Sequence, residues 1–190
     1  MAQPINNLAI ALLHYPVYNK HREIVTTALT NLDLHDIARS SRSYDLDRFY
    51  IVTPSQEQRN FAQRIAGHWQ QGWGASYNPD RKEAFGIIHI CETLKEAIAE
   101  FQSNFTKPVQ TVITGASKRT NSTDFKKMRS MLEVSDQPYL LLLGTGWGLT
   151  DECFEAANHI LEPISGPGSY NHLSVRSAAS ILLDRLRSSI

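Results

Sequence analysis

Short apolar runs are spaced along the whole chain and alternate with stretches in which apolar and polar residues mix at helical spacing. An uninterrupted apolar run of about four to eight residues is typical of a strand that is buried on both faces of a parallel sheet. Runs of this kind lie at 8–13, 49–52 and 139–143, and two further strands are predicted at 85–90 and 109–114. A further run, 24–29, is rich in β-branched residues and fits either a short strand or the start of a helix.

The stretches between these runs carry helix signals, in which apolar residues recur three and four positions apart. Thr150 precedes two acidic residues and predicts one more helix start. A helix from 33 to about 45 has Leu34, Ile37 and Ala38 as its predicted buried face, and the last helix has Ala178, Ile181, Leu182 and Leu186.

Two helices carry a predicted capping box. Thr53 with Gln56 caps the first, which has Pro54 at its first position, ends at Gly72, and buries Phe61, Ile65 and Trp69. Thr93 with Glu96 caps the second, which buries Leu94, Ala97, Ile98, Phe101 and Phe105.

Strands that alternate with helices predict an α/β fold, with a mostly parallel sheet and helices on both faces. No change of composition divides the chain, so residues 1–190 are expected to form a single domain. In such sheets ligands bind at the carboxyl ends of the strands. The loop 14–21, which follows the first strand, therefore offers His14, Tyr15 and Asn19 as residues that could contact a substrate.

Composition excludes some classes and leaves others open. The chain has 19 basic and 19 acidic residues, so any nucleic-acid binding must come from local patches. The two cysteines, Cys91 and Cys153, fit reduced thiols of a cytosolic protein. No apolar run approaches the roughly 20 residues of a membrane span, and the amino terminus lacks the order of a signal peptide. We expect a cytoplasmic protein with no membrane contact.

Two surface features are candidates for binding RNA. The stretch 72–83 predicts an irregular loop in which Trp73 and Tyr77 stand near Arg81 and Lys82, a mixture that suits stacking on bases, contact with a partner subunit, or packing on the same domain. A basic cluster follows the strand 109–114 and fits either a phosphate-binding surface or a solvated helix face. Its members are Lys118, Arg119, Lys126, Lys127 and Arg129.

The strongest site signal follows the strand 139–143, where Gly144, Gly146 and Gly148 stand around Thr145 and Trp147. Glycine allows positive φ and lets a ligand approach the backbone. A dinucleotide-binding loop is one interpretation, with Glu162 placed to hold a ribose, but the third glycine of that fingerprint is absent. No phosphate-binding P-loop, nucleophile elbow or zinc spacing occurs, so no metal is expected.

The segment 140–148, followed by 161–166 and 170–178, resembles the carboxyl-terminal half of SPOUT-superfamily RNA methyltransferases. The segment 33–40 is similar to the part of the ribose 2′-O-methylating branch that carries an asparagine and, six residues later, a functional arginine. On this match Arg39 takes the place of the arginine and Asp33 that of the asparagine. An acid would repel a phosphate that an amide tolerates, so the acceptor atom stays open. The closest likeness is to a bacterial group of uncharacterised methyltransferases that use S-adenosylmethionine (SAM).

The resemblance implies a homodimer, a trefoil knot within about 109–190, and a SAM site where the loops after 114, after 143 and around 163–171 converge. It also implies that the substrate is RNA, either tRNA or rRNA. The residues it places at the cofactor are Thr114, Gly115, Gly144, Thr145, Gly146, Leu161, Pro163, Ile164, Gly166, Tyr170, Asn171, Leu173 and Ser174.

Arg39 and Asp33 are the predicted catalytic residues. Arginine stays protonated, so Arg39 would hold a phosphate or stabilise a developing alkoxide, unless it forms only a surface ion pair with Asp36 or Asp45. With a ring nitrogen as acceptor, Asp33 or Asp36 could take the proton. Two other functions stay open: a module that binds cofactor or RNA without catalysis, and a nicotinamide-dependent oxidoreductase.

Overall fold

The computed structural model describes residues 6–134 and 136–188. In chain order the strands are β1 (Leu8–Leu13), β2 (Val17–Tyr18), β3 (Ile24–Val25), β4 (Phe49–Val52), β5 (Ile88–Cys91), β6 (Gln110–Ile113), β7 (Tyr139–Gly144) and β8 (His159–Ile160). The helices are α1 (Asn31–Ser43), α2 (Gln56–Gln70), α3 (Trp73–Tyr77), α4 (Pro79–Phe85), α5 (Leu94–Gln102), α6 (Phe125–Val134), α7 (Asp151–Ala156) and α8 (Val175–Arg187).

Within the described residues, six strands form one sheet in the order β5-β4-β1-β7-β6-β8, and every pairing in it is parallel. The predicted α/β class is confirmed. Alternate residues of β1 face opposite sides of the sheet. Leu8, Ile10 and Leu12 pack in the core that α1, α2, α6 and α8 cover, whereas Ala9, Ala11 and Leu13 pack in the core beneath α5 and α7.

The structure corrects several predicted elements. Ser55, not Thr53, caps α2, because the Ser55 hydroxyl accepts a hydrogen bond from the Gln58 N–H (3.3 Å) and Pro54 stays outside the helix. The stretch 72–83, predicted as a loop, contains α3 and most of α4. The Asn78 side chain accepts a hydrogen bond from the Arg81 N–H (2.9 Å) and caps α4. Phe85 therefore ends a helix, and the strand predicted from 85 begins at Ile88.

Three more boundaries differ from the sequence analysis. The run 24–29 starts as the short strand β3, which pairs antiparallel with β2 outside the main sheet. Thr30 accepts a hydrogen bond from the Asp33 N–H (3.2 Å) and begins α1 at Asn31, before the predicted start. Thr150 precedes α7, as predicted, but its side chain makes no capping hydrogen bond. The strand β8, which has only two residues, gave no pattern from which to predict it.

His14 follows β1 and is fully buried, so it cannot contact a substrate as the sequence suggested. Its Nδ1 atom lies 3.3 Å from the Thr27 hydroxyl, and its Nε2 atom is buried without a hydrogen-bond partner in the described part of the chain. Burial lowers the pKa of His14 from 6.5 to about 4, and the negative charge of Asp33 opposes that shift in part. The neutral imidazole is thus the form that the fold accommodates.

None of the helices within 6–134 and 136–188 has both the length and the apolar composition of a bilayer span. Cys91 and Cys153 are both free thiols.

We expect Leu141→Ala to lower the free energy of unfolding by about 2 to 5 kcal/mol, because it removes a fully buried side chain from β7 and leaves a cavity. Val134→Ala is the control, since Val134 is exposed on α6 and its loss should change stability by less than about 0.5 kcal/mol. Urea denaturation measures both. Equal effects of the two changes would contradict the packing described here.

The buried His14 predicts a loss of stability in acid. Between about pH 6.5 and about 4 the unfolded chain binds a proton at His14 that the folded chain does not, so stability rises with pH across this window and falls as pH is lowered through it. His14→Asn should remove that contribution, on the order of 3 kcal/mol. His21→Asn, at an exposed position, should leave the slope unchanged. Unfolding free energies measured from pH 7 to 4 would show the difference.

Candidate active site

A cleft of about 790 Å³ lies at the carboxyl ends of β6 and β7. Parallel strands end at the same edge of a sheet, so the loops that follow them meet there. Three loops and one extended segment form its walls: the loop after β6, the loop after β7, the stretch before α8, and the stretch between β3 and α1. The lining residues of these segments include 114–117, 143–149, 171–175 and 27–33 in part, with Ile164, Ala178 and Leu182.

The loop after β7 is a tight turn that the rest of the fold holds in place. Gly144 admits no side chain, because a Cβ atom there would lie 2.7 Å from the Cγ atom and 2.8 Å from the backbone nitrogen of Leu149. Gly146 has a φ of +58°, which favours glycine, and a Cβ atom would lie 3.0 Å from the carbonyl oxygen of Tyr18. The Gly148 N–H closes the turn by donating to the Thr145 carbonyl (3.0 Å).

Thr145 ties this turn to β1 and to the segment after β3. Its hydroxyl donates to the Leu13 carbonyl (3.3 Å) and contacts the hydroxyl of Thr27. The Thr27 N–H in turn donates to the His14 carbonyl (2.9 Å). The result is a connected set of short side chains along one wall of the cleft.

Residues 160–162 are hydrogen-bonded to two segments at once. The Leu161 N–H donates to the Ile113 carbonyl (2.8 Å), while the Ile160 carbonyl and the Glu162 N–H bond to the backbone of Thr123 (2.7 and 2.9 Å). Farther along, the Asn171 side chain donates to the Ala116 carbonyl (2.8 Å). The chain from 160 to 171 therefore lies against the loop that joins β6 to α6. The Glu162 carboxylate accepts from the Phe125 N–H (2.9 Å) at the start of α6, so it serves this turn and does not line the cleft.

Asp33 is the one carboxylate among the described residues that line the cleft. It is buried, accepts a hydrogen bond from the Thr30 hydroxyl (2.6 Å), and lies 3.5 Å from the Nε atom of Arg176. The same guanidinium donates to Asp36 (3.0 Å). Arg176 of α8 thus pairs with two acidic residues of α1 and links the two helices beside the cleft.

Arg39 lies outside the cleft, in a polar groove of about 610 Å³ between α1 and α8. The alternative in which Arg39 pairs with Asp36 or Asp45 is not realised: Asp36 pairs with Arg176, and Asp45 pairs with Arg42 (3.2 Å). Groove and cleft share Ser174, so the two are adjacent. The groove is lined by Asp36, Arg39, Ser40, Ser43, Tyr44, Ser174, Arg176, Ser177 and Ser180.

The cleft collects most of the residues that the resemblance placed at the cofactor. Those that line it are Thr114, Gly115, Gly144, Thr145, Gly146, Ile164, Asn171, Leu173 and Ser174. The others are elsewhere: Leu161 is buried in the core, Tyr170 is 79% exposed, and Pro163 and Gly166 do not line the cavity. Leu161 lies between β6 and the loop at Thr123, which leaves its side chain no path to the cleft.

Sequence reasoning missed the cleft residues Thr27, Thr30 and Trp147 and the role of Arg176. The first two follow a strand of two residues that belongs to no periodic pattern, so nothing marked them. Trp147 stood inside the glycine-bearing loop, and its bulk in a turn of small residues was the signal that could have identified it. Of the first loop, Asn19 is occupied by hydrogen bonds to Glu23, and neither it nor Tyr15 lines the cleft.

Two arginines of the predicted basic cluster form contacts with acidic residues of the same chain. Arg119 donates to Asp151 (2.7 Å) and lies over the ring of Phe154, and Arg129 donates to Glu133 (2.9 Å). Hydrogen bonding to Arg119, and then to Arg22, lowers the pKa of Asp151, which therefore stays ionised between two cations. Among the described residues no group of His, Cys, Asp or Glu could hold a metal ion.

The amino-acid sequence is similar to a family of enzymes and to named relatives. Residues 7–188 match the family model of SAM-dependent RNA methyltransferases. The chain is 42% identical over 184 residues to a tRNA (guanine-N(1)-)-methyltransferase of Oleidesulfovibrio alaskensis, a match that covers 97% of this chain and 43% of that protein. The chain thus spans less than half the length of this relative, and the named activity is that of the longer protein.

Solved structures share the fold. A probable methyltransferase of Bordetella pertussis matches with a TM-score of 0.65 and 17% identity, over 97% of this chain and 95% of that one. The SpoU methyltransferase AviRb of Streptomyces viridochromogenes, solved with AdoMet, matches with a TM-score of 0.57 and 14% identity, over 98% of this chain and 58% of that one. These structures share the fold, and the family model shows that the chain belongs to the family of SAM-dependent RNA methyltransferases.

Proposed function

We propose that this chain binds SAM in the cleft at the ends of β6 and β7 and there transfers its methyl group to an RNA nucleotide, in tRNA or rRNA. The observation that carries the proposal is the meeting of three loops, after β6, after β7 and before α8, at one cavity in a chain of this family. The family match leaves the nicotinamide-dependent oxidoreductase without support.

The cleft fits such a cofactor. Its volume of about 790 Å³ lies within the range of small-molecule sites, roughly 300–1,000 Å³. Ile164, Leu173 and Val175 offer apolar surface for a purine, and the hydroxyls of Thr114 and Ser174 with the backbone at Gly115 offer polar groups. Asp33 is the one acidic side chain among the described residues that line the cleft, and its negative charge suits the positive charge of the sulfonium.

The bound cofactor supplies an electrophilic methyl group, and the protein has to place an acceptor in line with it at about 3 to 3.5 Å. Asp33 is positioned to take the proton from that acceptor, because its carboxylate lines the cleft and its partners hold it in one orientation. Thr30 and Arg176 act as positioning residues for Asp33. Arg39, in the adjacent groove, holds a phosphate of the RNA or stabilises developing negative charge.

The proposed active form is a cytoplasmic homodimer in which residues 1–190 act as one domain. The position of Arg39 outside the cleft of its own chain supports a dimer, because a second copy docked on the groove between α1 and α8 would bring further groups to the site. The proposed trefoil knot within about 109–190 is supported by the hydrogen bonds of 160–162, which join this segment to Ile113 and to Thr123, on either side of the loop 114–122. Light scattering of the purified protein tests the dimer.

Calorimetry with SAM and transfer of labelled methyl to total RNA from a strain without the protein test the proposed function. We expect saturable SAM binding and transfer to RNA. An absence of binding at millimolar SAM would reject the proposal, and binding without transfer would favour a module that has lost catalysis. Mass mapping of the modified nucleosides identifies the RNA and the acceptor atom.

Arg39→Ala should lower kcat/KM for RNA by about 100-fold, the scale of losing one charged donor at a reacting centre, while the Kd for SAM stays within twofold. Arg64→Ala is the matched control, because Arg64 is an exposed helical arginine that lines neither the groove nor the cleft. Equal activity of the two variants would remove Arg39 from the site.

Asp33→Asn separates the two classes of acceptor. Arg176 keeps its bond to Asp36 in this variant, so the fold should persist. If a ring nitrogen is methylated, loss of the carboxylate should lower kcat by about 100-fold or more. If a ribose hydroxyl is methylated, the amide that replaces it restores the family pattern and transfer should continue. Thermal unfolding of the variant provides the control for folding.

A further inference from the structure

Trp147 stands out among the residues of the cleft because its large apolar side chain is 68% exposed. Its indole makes no ring contact, cation contact or hydrogen bond with any other residue that the structure describes. Large exposed aromatic groups mark surfaces that bind another molecule, because water contact of so much apolar area is unfavourable. Trp147 therefore has a free face at the entrance to the proposed methyl-transfer site.

The backbone around Trp147 is fixed from both sides. The Trp147 N–H donates to the Tyr18 carbonyl (2.9 Å), and the Tyr18 N–H donates to the Gly148 carbonyl (2.9 Å). Gly146 and Gly148 have φ values of +58° and +96°, which turn the chain so that the residue between them projects outward. The backbone of such a turn has little conformational freedom left to lose when the residue binds a ligand.

Two arginines lie on segments that neighbour the Trp147 turn. Arg22 lies 4.2 Å from the centroid of the Tyr18 ring, with a side chain that is 69% exposed, and both Arg22 and Arg119 contact the carboxylate of Asp151 (2.9 and 2.7 Å). Because the two guanidinium groups share one carboxylate, each keeps N–H donors for a further anionic ligand. A flat aromatic platform beside such charge suits a ligand with a planar ring and phosphates, which is the chemistry of a nucleotide.

We propose that Trp147 stacks on an unpaired base of the RNA substrate at the entrance to the cleft and that it is a positioning residue for methyl transfer. The inference rests on the proposed function, because the stacked base belongs to the target nucleotide or to its neighbour. A base inside a duplex presents no free face, so the substrate class is RNA with a single-stranded or extruded nucleotide.

The test compares Trp147→Ala and Trp147→Phe with Trp73→Ala. Trp73 is the control, because it is 69% exposed but does not line the cleft, and one face of its ring already stacks on Tyr77 (centroids 4.6 Å apart), which favours the alternative in which the aromatic residues of 72–83 pack on their own domain. The probes are a single-stranded RNA of about ten nucleotides, a duplex of that RNA with its complement, and total tRNA from a strain without the protein. We expect Trp147→Ala to raise the Kd for the single strand about tenfold, the scale of one base–aromatic stack, and Trp147→Phe to recover most of the loss. The Kd for the duplex should not change.

A second measurement uses the fluorescence of the indole itself. Single-stranded RNA should quench the wild-type emission, and Trp147→Phe should abolish that quenching while Trp73→Phe retains it. Equal binding by Trp147→Ala and Trp73→Ala would overturn the inference, and so would a loss of SAM affinity or of dimer mass in Trp147→Ala, because Trp147 would then serve the cofactor or a subunit contact. If the wild type binds SAM and methylates RNA in these experiments, the proposed function stands whatever Trp147 does.

Discussion

The hydrogen bonds that hold residues 160–162 between the end of β6 and Thr123 are the constraint on which the site depends. A two-residue strand such as β8 contributes little burial by itself, yet its backbone bonds to Ile113 on one side and to Thr123 on the other. This contact delivers the following stretch, 163–174, to the cleft edge, where Asn171 bonds to the Ala116 carbonyl. Three loops that are distant in sequence become neighbours because one short segment is held between two others.

Arg176 connects the carboxyl-terminal part of the fold with its amino-terminal half. It lies at the start of α8, directly after the loop that lines the cleft, and pairs with Asp33 and Asp36 of α1. An acid buried at the cleft would be costly without a partner, and the guanidinium supplies one. The same contact leaves Arg39 free of an ion pair among the described residues and exposes it to the groove. The acidic residue at 33 and the arginine at 176 thus form one structural unit.

The glycines of the loop after β7 have two different tasks. Gly144 is small because Leu149 packs against the position that a side chain would occupy, whereas Gly146 and Gly148 provide positive φ on either side of Trp147. The sequence analysis expected positive φ at these glycines, which Gly146 and Gly148 have, but it did not identify the packing of Leu149 against Gly144. The turn holds the backbone of Trp147 and leaves its indole exposed at the cleft, without a ring or cation contact to the described residues.

The sequence by itself determined the elements. Uninterrupted apolar runs identified β1, β4 and β7, because a strand buried on both faces has few polar positions, and the pattern of α1 and α8 followed from helical spacing. It failed at 72–83, where Asn78 and Pro79 start a helix within a stretch of loop-like composition. Capping is local, but which of several candidate caps is used depends on where the chain must turn, as Ser55 in place of Thr53 shows.

Only the tertiary structure decided which residues meet. The strand order placed β1 beside β7 and β7 beside β6, and this brought Thr145, Thr27 and Leu13 together although more than a hundred positions separate the first from the others. It buried His14, which the sequence had assigned to an exposed loop, and it gave Asp36 a partner in Arg176 in place of Arg39. Periodicity records how each segment is buried, but the pairing of distant side chains is set by the order in which strands assemble, and no local pattern encodes that order.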